Sequence, residues 1–314
     1  MTLVLTQQQE QELVRRHQIY VPSDSMFQRH VRLMQSVWRD KHGYPIGEHR
    51  GKPLGSRLAM PWAEETLANY LSETIREVVR REVFSSDNRQ GKLFGYPRIV
   101  NDLLSSQPLC FNLFGELQAN LKLASEVFAE ITKGHIKQVV RIEFEYSPGR
   151  GDIDYTGDSS AFDVYVEYVT TKETMGFYGI EVKYHENLKV AAARHRSRYD
   201  EISALMGCFK TDALEALHKT PLQQIWRDHL LTGSLLNKDP RFDEGSFIFL
   251  YPKDNLCCSQ AVNAYQRCLS LSSTFMPLVI EDLIIALQHH SNEEWIRELS
   301  CRYIDFSSIG HFIS

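Results

Sequence analysis

Asp163, Glu181 and Lys183 are the residues of this 314-residue chain whose types and spacing could do chemistry. In FDVYVEYVT (162–170), alternation sets Phe162, Val164 and Val166 on one face and Asp163, Tyr165 and Glu167 on the other. In GFYGIEVKY (176–184), Tyr178, Ile180, Val182 and Tyr184 form the apolar set, leaving Gly179, Glu181 and Lys183 opposite, because side chains along a strand repeat with a period of two. If the two strands are neighbours, Asp163 and Glu181 lie within a few ångströms and Lys183 one pleat away. Two such carboxylates are hard oxygen ligands for Mg²⁺, which favours one or two carboxylates plus waters and phosphate oxygens. A lysine beside them can orient an attacking hydroxide or stabilise charge developing on a phosphate. A plainer reading is a solvated sheet face laced with cross-strand ion pairs, each worth under about 1 kcal/mol. Glu-x-Lys alone decides little, since 24 Glu and 13 Lys predict about one such tripeptide by chance, and one occurs.

The setting carries more. QVVRIEFEY (138–146) precedes the two strands as a third β-type segment, and LCFNLFGELQANLKLASEVFAEI (109–131) precedes all three as a helix of about 20 residues. After them come a helical tract from roughly Lys189 to His218, the apolar strand FIFLY (247–251), helices over about 259–271 and 278–289, and the amphipathic EEWIRELSCRY. The order is α, β, β, β, α, β.

Residues 1–100 read as a helical region. TQQQEQELVRRH opens with a Thr cap, MFQRHVRLMQSVWRDKHG ends at Gly43, and PWAEETLANYLSETIREVVRREVF starts at Pro61. The last of these carries a stripe of Trp62, Leu67, Tyr70, Leu71, Ile75, Val78 and Val79, the mark of a helix packed on a core. YPIGEHRGKPLGSRLAMP between them, rich in Gly and Pro, reads as a loop. The domain division expected is 1–100, packed on the core, and 101–314.

Composition bounds the function. A hydrophobic fraction of 43% excludes a disordered chain, and a net charge of −5 excludes a wholly basic nucleic-acid coat. Charge is uneven, +4 over residues 1–100 and −9 beyond, and Arg29, Arg32, Arg39 and Lys41 could meet phosphates or simply be solvated. No CxxC, HExxH or other zinc-ligand spacing occurs, so a structural zinc site is not expected. There is no apolar run of about 18 residues and no basic leader at the N-terminus, so the chain reads as a soluble, cytoplasmic protein with reduced thiols.

Here the pattern resembles the PD-(D/E)xK nuclease superfamily, whose core is αβββαβ and whose motif is an acid on the second strand followed by (Asp/Glu)-x-Lys on the third. DLLSSQPLCFNLFGEL (102–117), FEYSPGRGDIDYTGDSSAFDVYVEY (144–168) and GFYGIEVKY (176–184) are similar to a bacterial group of restriction-endonuclease-like proteins in it. The resemblance implies an α/β fold with a mixed sheet flanked by helices, and a metal-dependent phosphodiesterase with Asp163, Glu181 and the Val182 carbonyl on Mg²⁺, Mn²⁺ as a substitute, and Lys183 as the catalytic cation. It further implies DNA as the substrate, with RNA as the alternative, and a homodimer by analogy. Glu116 lies where many members add an acidic ligand and reads equally as a solvated helix residue. Glu145 could reach the metal from the first strand or be a surface charge. The long loop SPGRGDIDYTGDSS, with Arg150 its only basic residue and Asp152, Asp154 and Asp158 its acids, is a candidate flap. Arg198, on the helix after the lysine strand, is the candidate phosphate contact. A non-cleaving binding or assembly module on the same fold is the competing function.

Overall fold

Five strands form a mixed sheet in the order β3-β4-β5-β6-β7, where β3 is Ile136–Tyr146, β4 Phe162–Thr170, β5 Met175–Val182, β6 Glu244–Tyr251 and β7 Phe275–Val279. The first three run antiparallel as a meander, and β6 and β7 add parallel to β5. A separate hairpin pairs β1 (Ile46–His49) with β2 (Lys52–Leu58). The computed structural model describes residues 7–310, so the Thr6 cap lies outside the described residues.

Both faces of the sheet are roofed. Val164, Val166, Tyr178, Ile180, Val182, Ile248 and Leu250 pack on the helices Ser106–Ala119, Leu121–Ile131 and Ile280–His290 and on the N-terminal helices, in one continuous core running from Leu13 to Ile309. Tyr165, Phe177, Phe247 and Phe249 face the helices Ser197–Met206, Leu222–Lys238 and Leu256–Arg267. The face expected to be acidic is therefore largely aromatic and buried, and its charged residues gather at the strand ends.

Several elements differ from expectation. The 44–61 stretch is not a loop: Arg50 and Gly51 both take positive φ, the two-residue turn whose twist suits a hairpin. The 61–84 helix is broken. Leu67 adopts φ 49° at the end of Trp62–Thr66, and Ser72 caps a new helix, Glu73–Val79, accepting from the Ile75 N–H. The 109–131 helix breaks likewise at Asn120, whose side chain caps Leu121–Ile131. The 189–218 tract is helical only from Ser197. Residues 191–196 are exposed and Val190 is 82% exposed, so a helix there would have no apolar face to bury. The helix that crosses the sheet after β5 is Leu222–Lys238 instead. β7 occupies the start of the segment expected to be helix from 278.

Two of the basic residues of the second helix, Arg32 and Arg39, serve the fold. Arg32 is buried and forks onto both oxygens of Asp24, with a further bond to Ser56 Oγ. Arg39 donates to the Gly55 carbonyl. Neither is available to a phosphate.

Candidate functional site

Register builds the site. Phe144 pairs with Val164 and Tyr146 with Phe162, so Glu145 stands opposite Asp163. Val164 pairs with Ile180, so one step further along Asp163 stands opposite Glu181. The three carboxylates thus form a row across β3, β4 and β5, at the end where β5 finishes and β4 begins. The approach of β4 and β5 depends on Gly179: a Cβ there would sit 2.2 Å from the Phe162 ring.

Each member of the row is held. Asp163 Oδ2 accepts from the Val182 N–H at 2.8 Å. Glu181 Oε1 accepts from Lys183 Nζ and from Gln224 Nε2, the latter at 2.8 Å. Glu145, at φ 51°, accepts from Arg150 Nη2 at 3.0 Å. The turn after the lysine is fixed by side chains from distant elements. Gln28 donates to the His185 carbonyl, Gln35 to the Tyr184 hydroxyl, and Asn255 to the carbonyls of Tyr184 and Glu186.

A cleft of about 460 Å³ opens on the two outer members of the row, Glu145 and Glu181. Glu145, Ser159, Ser160 and Glu181 line one side, Val190 to Ala193 another, and Gln224, Arg227 and Asp228 of Leu222–Lys238 the third. Asp228 is 6% exposed, and its Oδ2 is buried with no hydrogen-bond partner among the described residues.

The electrostatics are those of crowded acids. Burial, then the charge of Glu181, pushes Asp163 well above the usual carboxylate range. The same two causes raise Asp228. Burial raises Glu145 against the pull of Arg150. For Lys183 burial acts downward, but Glu181, Glu186 and Asp163 outweigh it and hold the ammonium charged. A converging set of carboxylate oxygens, only partly offset by Arg150 and Lys183 and including a buried carboxylate oxygen with no partner among the described residues, is what a hard divalent cation satisfies.

A family model for the PD-(D/E)XK nuclease superfamily matches residues 22–305. The chain belongs to this superfamily. Its αβββαβ core is Ser106–Ala119, β3, β4, β5, Leu222–Lys238 and β6. No match is found among curated proteins or among solved structures. Membership suggests a metal-dependent nuclease, and PD-(D/E)XK nucleases typically use divalent metals.

The other anticipated residues divide. Glu145 joins the row. Glu116 lies apart from it, its carboxylate accepting from Ser72 Oγ at the cap of Glu73–Val79. Arg150 is engaged by Glu145 and the Ser159 carbonyl. Arg198 donates to the carbonyls of Tyr155 and Asp154 and pairs with Glu201, so it clamps the 147–161 loop. That loop is anchored a second time through Asp158, which accepts from Tyr199 Oη and Arg227 Nε. Despite burial, these partners lower Asp158 to about 2.

Gln224, Arg227 and Asp228 were absent from the expected set. Their i, i+3, i+4 spacing puts them on one helix face, a signal readable only once 222–238 is known to be helix.

Proposed function

We propose that the protein is a Mg²⁺-dependent DNA endonuclease of the restriction or phage-defence kind. The observation that carries this reading is the row Glu145, Asp163, Glu181 with Lys183 beside it, whose two outer members, Glu145 and Glu181, line a cleft. Asp163, Glu181 and the Val182 carbonyl would hold Mg²⁺, with Mn²⁺ as a substitute and Glu145 and Asp228 within reach. When bound, the ion would offset charge at the scissile phosphate and acidify a water.

The remaining work falls to the protein's own groups. Gln224 and the Val182 N–H keep the two carboxylates in place, which lowers the cost of assembling the site. Lys183, charged and freed from part of its present pairing, would donate to the attacking hydroxide or to the oxygens on which negative charge grows. Arg227, at the cleft wall, would meet a phosphate oxygen next to the one attacked. DNA is the expected substrate with RNA as the alternative, and a double-strand cut would take two such sites on a pair of chains.

The test is a titration of Mg²⁺ and Mn²⁺ against plasmid, linear duplex, single-stranded DNA and RNA, beside Glu181→Ala and Lys183→Ala. Metal-dependent cutting of DNA that falls at least about a hundredfold in both variants is expected. No cutting of any substrate, together with salt-sensitive DNA binding indifferent to metal and to Lys183, would replace this reading with a binding module.

A further inference from the structure

Beyond the carboxylate row, His195, Asp200 and His218 converge. His195 Nε2 lies 2.8 Å from Asp200 Oδ2, and His218 Nε2 lies 3.1 Å from Asp200 Oδ1. One ligand atom from each of the three falls within 4.8 Å of those of the others. The two imidazoles are 3.9 Å apart between centroids, and buried Trp226 backs them, its ring parallel to that of His195. On the other side the cluster is open, with the side chains of His195, Asp200 and His218 35%, 43% and 29% exposed.

Two imidazole nitrogens and one carboxylate oxygen are a donor set for zinc-class ions, and they leave a fourth position for water. Mg²⁺, which prefers oxygen, would not be drawn to it. The spacing, five residues and then eighteen, matches no zinc motif, so the site is invisible to any rule based on nearby Cys and His.

The three residues come from three pieces of structure. Asp200 is in the first turn of Ser197–Met206, and His218 closes the one-turn helix Leu214–Leu217 just before Leu222–Lys238. His195 ends the irregular segment whose residues Val190 to Ala193 line the cleft. That segment otherwise rests on the start of Leu222–Lys238 and the residues just before it: Gln223 bonds both backbone groups of Ala193, and Thr220 Oγ1 donates to the Val190 carbonyl.

We propose that His195, Asp200 and His218 form a zinc-class metal site, separate from the carboxylate row, that fastens the 187–196 segment along the mouth of the cleft. The assignment does not depend on the nuclease reading, because the three ligands lie outside the row.

The experiment uses the full chain carrying Asp163→Asn and Glu181→Gln, which removes the two carboxylates proposed to hold Mg²⁺ and so weakens competition from the row. Co²⁺ is titrated into this parent and into the same protein with His195→Gln and His218→Gln, with folding checked by circular dichroism. The parent is expected to bind one Co²⁺ with the visible absorption of a four-coordinate site, to release it to Zn²⁺, and to lose about a hundredfold in affinity with the histidine changes. If the double variant fails to fold, Asp200→Asn alone serves, since that side chain is open to solvent. A second reading comes from trypsin, because Arg194 and Arg196 flank His195 and are exposed. Zn²⁺ is expected to slow cutting there about tenfold in the parent and not in the His218→Gln protein. Equal Co²⁺ affinity in parent and variants, or a folded parent that binds none, would overturn the assignment.

Discussion

Asp163 and Asp228 sit where folding opposes charge. Both are raised by burial and by Glu181, so the folded chain keeps its protons to higher pH than the unfolded chain does. The acids therefore detract from stability as pH climbs from the ordinary carboxylate range through their folded values. Asp163→Asn keeps an acceptor for the Val182 N–H, and Asp228→Asn alters a group with an unpaired oxygen, so neither leaves a new buried vacancy. Each is expected to stabilise the metal-free protein by about 1–2 kcal/mol, a few degrees in Tm, with a larger gain at pH 8 than at pH 5. Mg²⁺ is expected to raise the Tm of the wild type more than that of either variant. Thermal melts with chelator and with metal check both statements, and variants less stable than the wild type at pH 8 would contradict them.

At the scale of elements, the 147–161 loop is held to two helices through Asp158, Arg198 and Arg227. Asp158 is lowered from 3.8 to about 2 and its side chain is 7% exposed, so it contributes on the order of 2 kcal/mol. For a depressed acid that contribution is complete above the unfolded value and disappears as pH falls from about 4 toward 2. Urea unfolding is expected to show Asp158→Asn destabilised by that amount at pH 6 and by only about a third of it near pH 2.5, the gap closing below pH 2; a gap constant with pH would rule out the ionic anchor.

The strands were legible because their alternation is strong: β4 spans the nine residues 162–170 read from the sequence. Asp163, Glu181 and Lys183 followed from that period. Leu222–Lys238 was not legible, since buried Gln223, Asp228, His229, Thr232 and Ser234 interrupt its apolar stripe, and these are polar residues that only tertiary partners make acceptable. The alanine-rich 189–196 stretch misled in the opposite way, showing helix formers with nothing to pack against. The β1–β2 hairpin was hidden because a tight turn and an edge strand use the same Gly and Pro that mark a loop.

Across the whole molecule, the N- and C-terminal parts share one interior. Arg302, fully buried, donates to Gln35 Oε1 and to the carbonyl and side chain of Asn69, with its guanidinium 4.0 Å from the Trp38 ring centre. Asn112 reaches Tyr303, and Gln35 reaches both Arg302 and Tyr184. Arg302→Ala strands several buried acceptors at once and is expected to cost about 3–5 kcal/mol. Chemical denaturation checks this, and a loss under about 1 kcal/mol would show the network to be dispensable.

The Arg302 junction also bears on how the chain is made. Chains emerge from the ribosome N-terminus first and tend to fold as they appear, yet here Gln35 and Asn69 wait for an arginine more than 230 positions later. Gln35 is also the residue that braces Tyr184, next to Lys183. A nascent chain can therefore carry every acid of the row while Gln35 still lacks Arg302, and the brace on Tyr184 is complete only once the segment bearing that arginine has been translated.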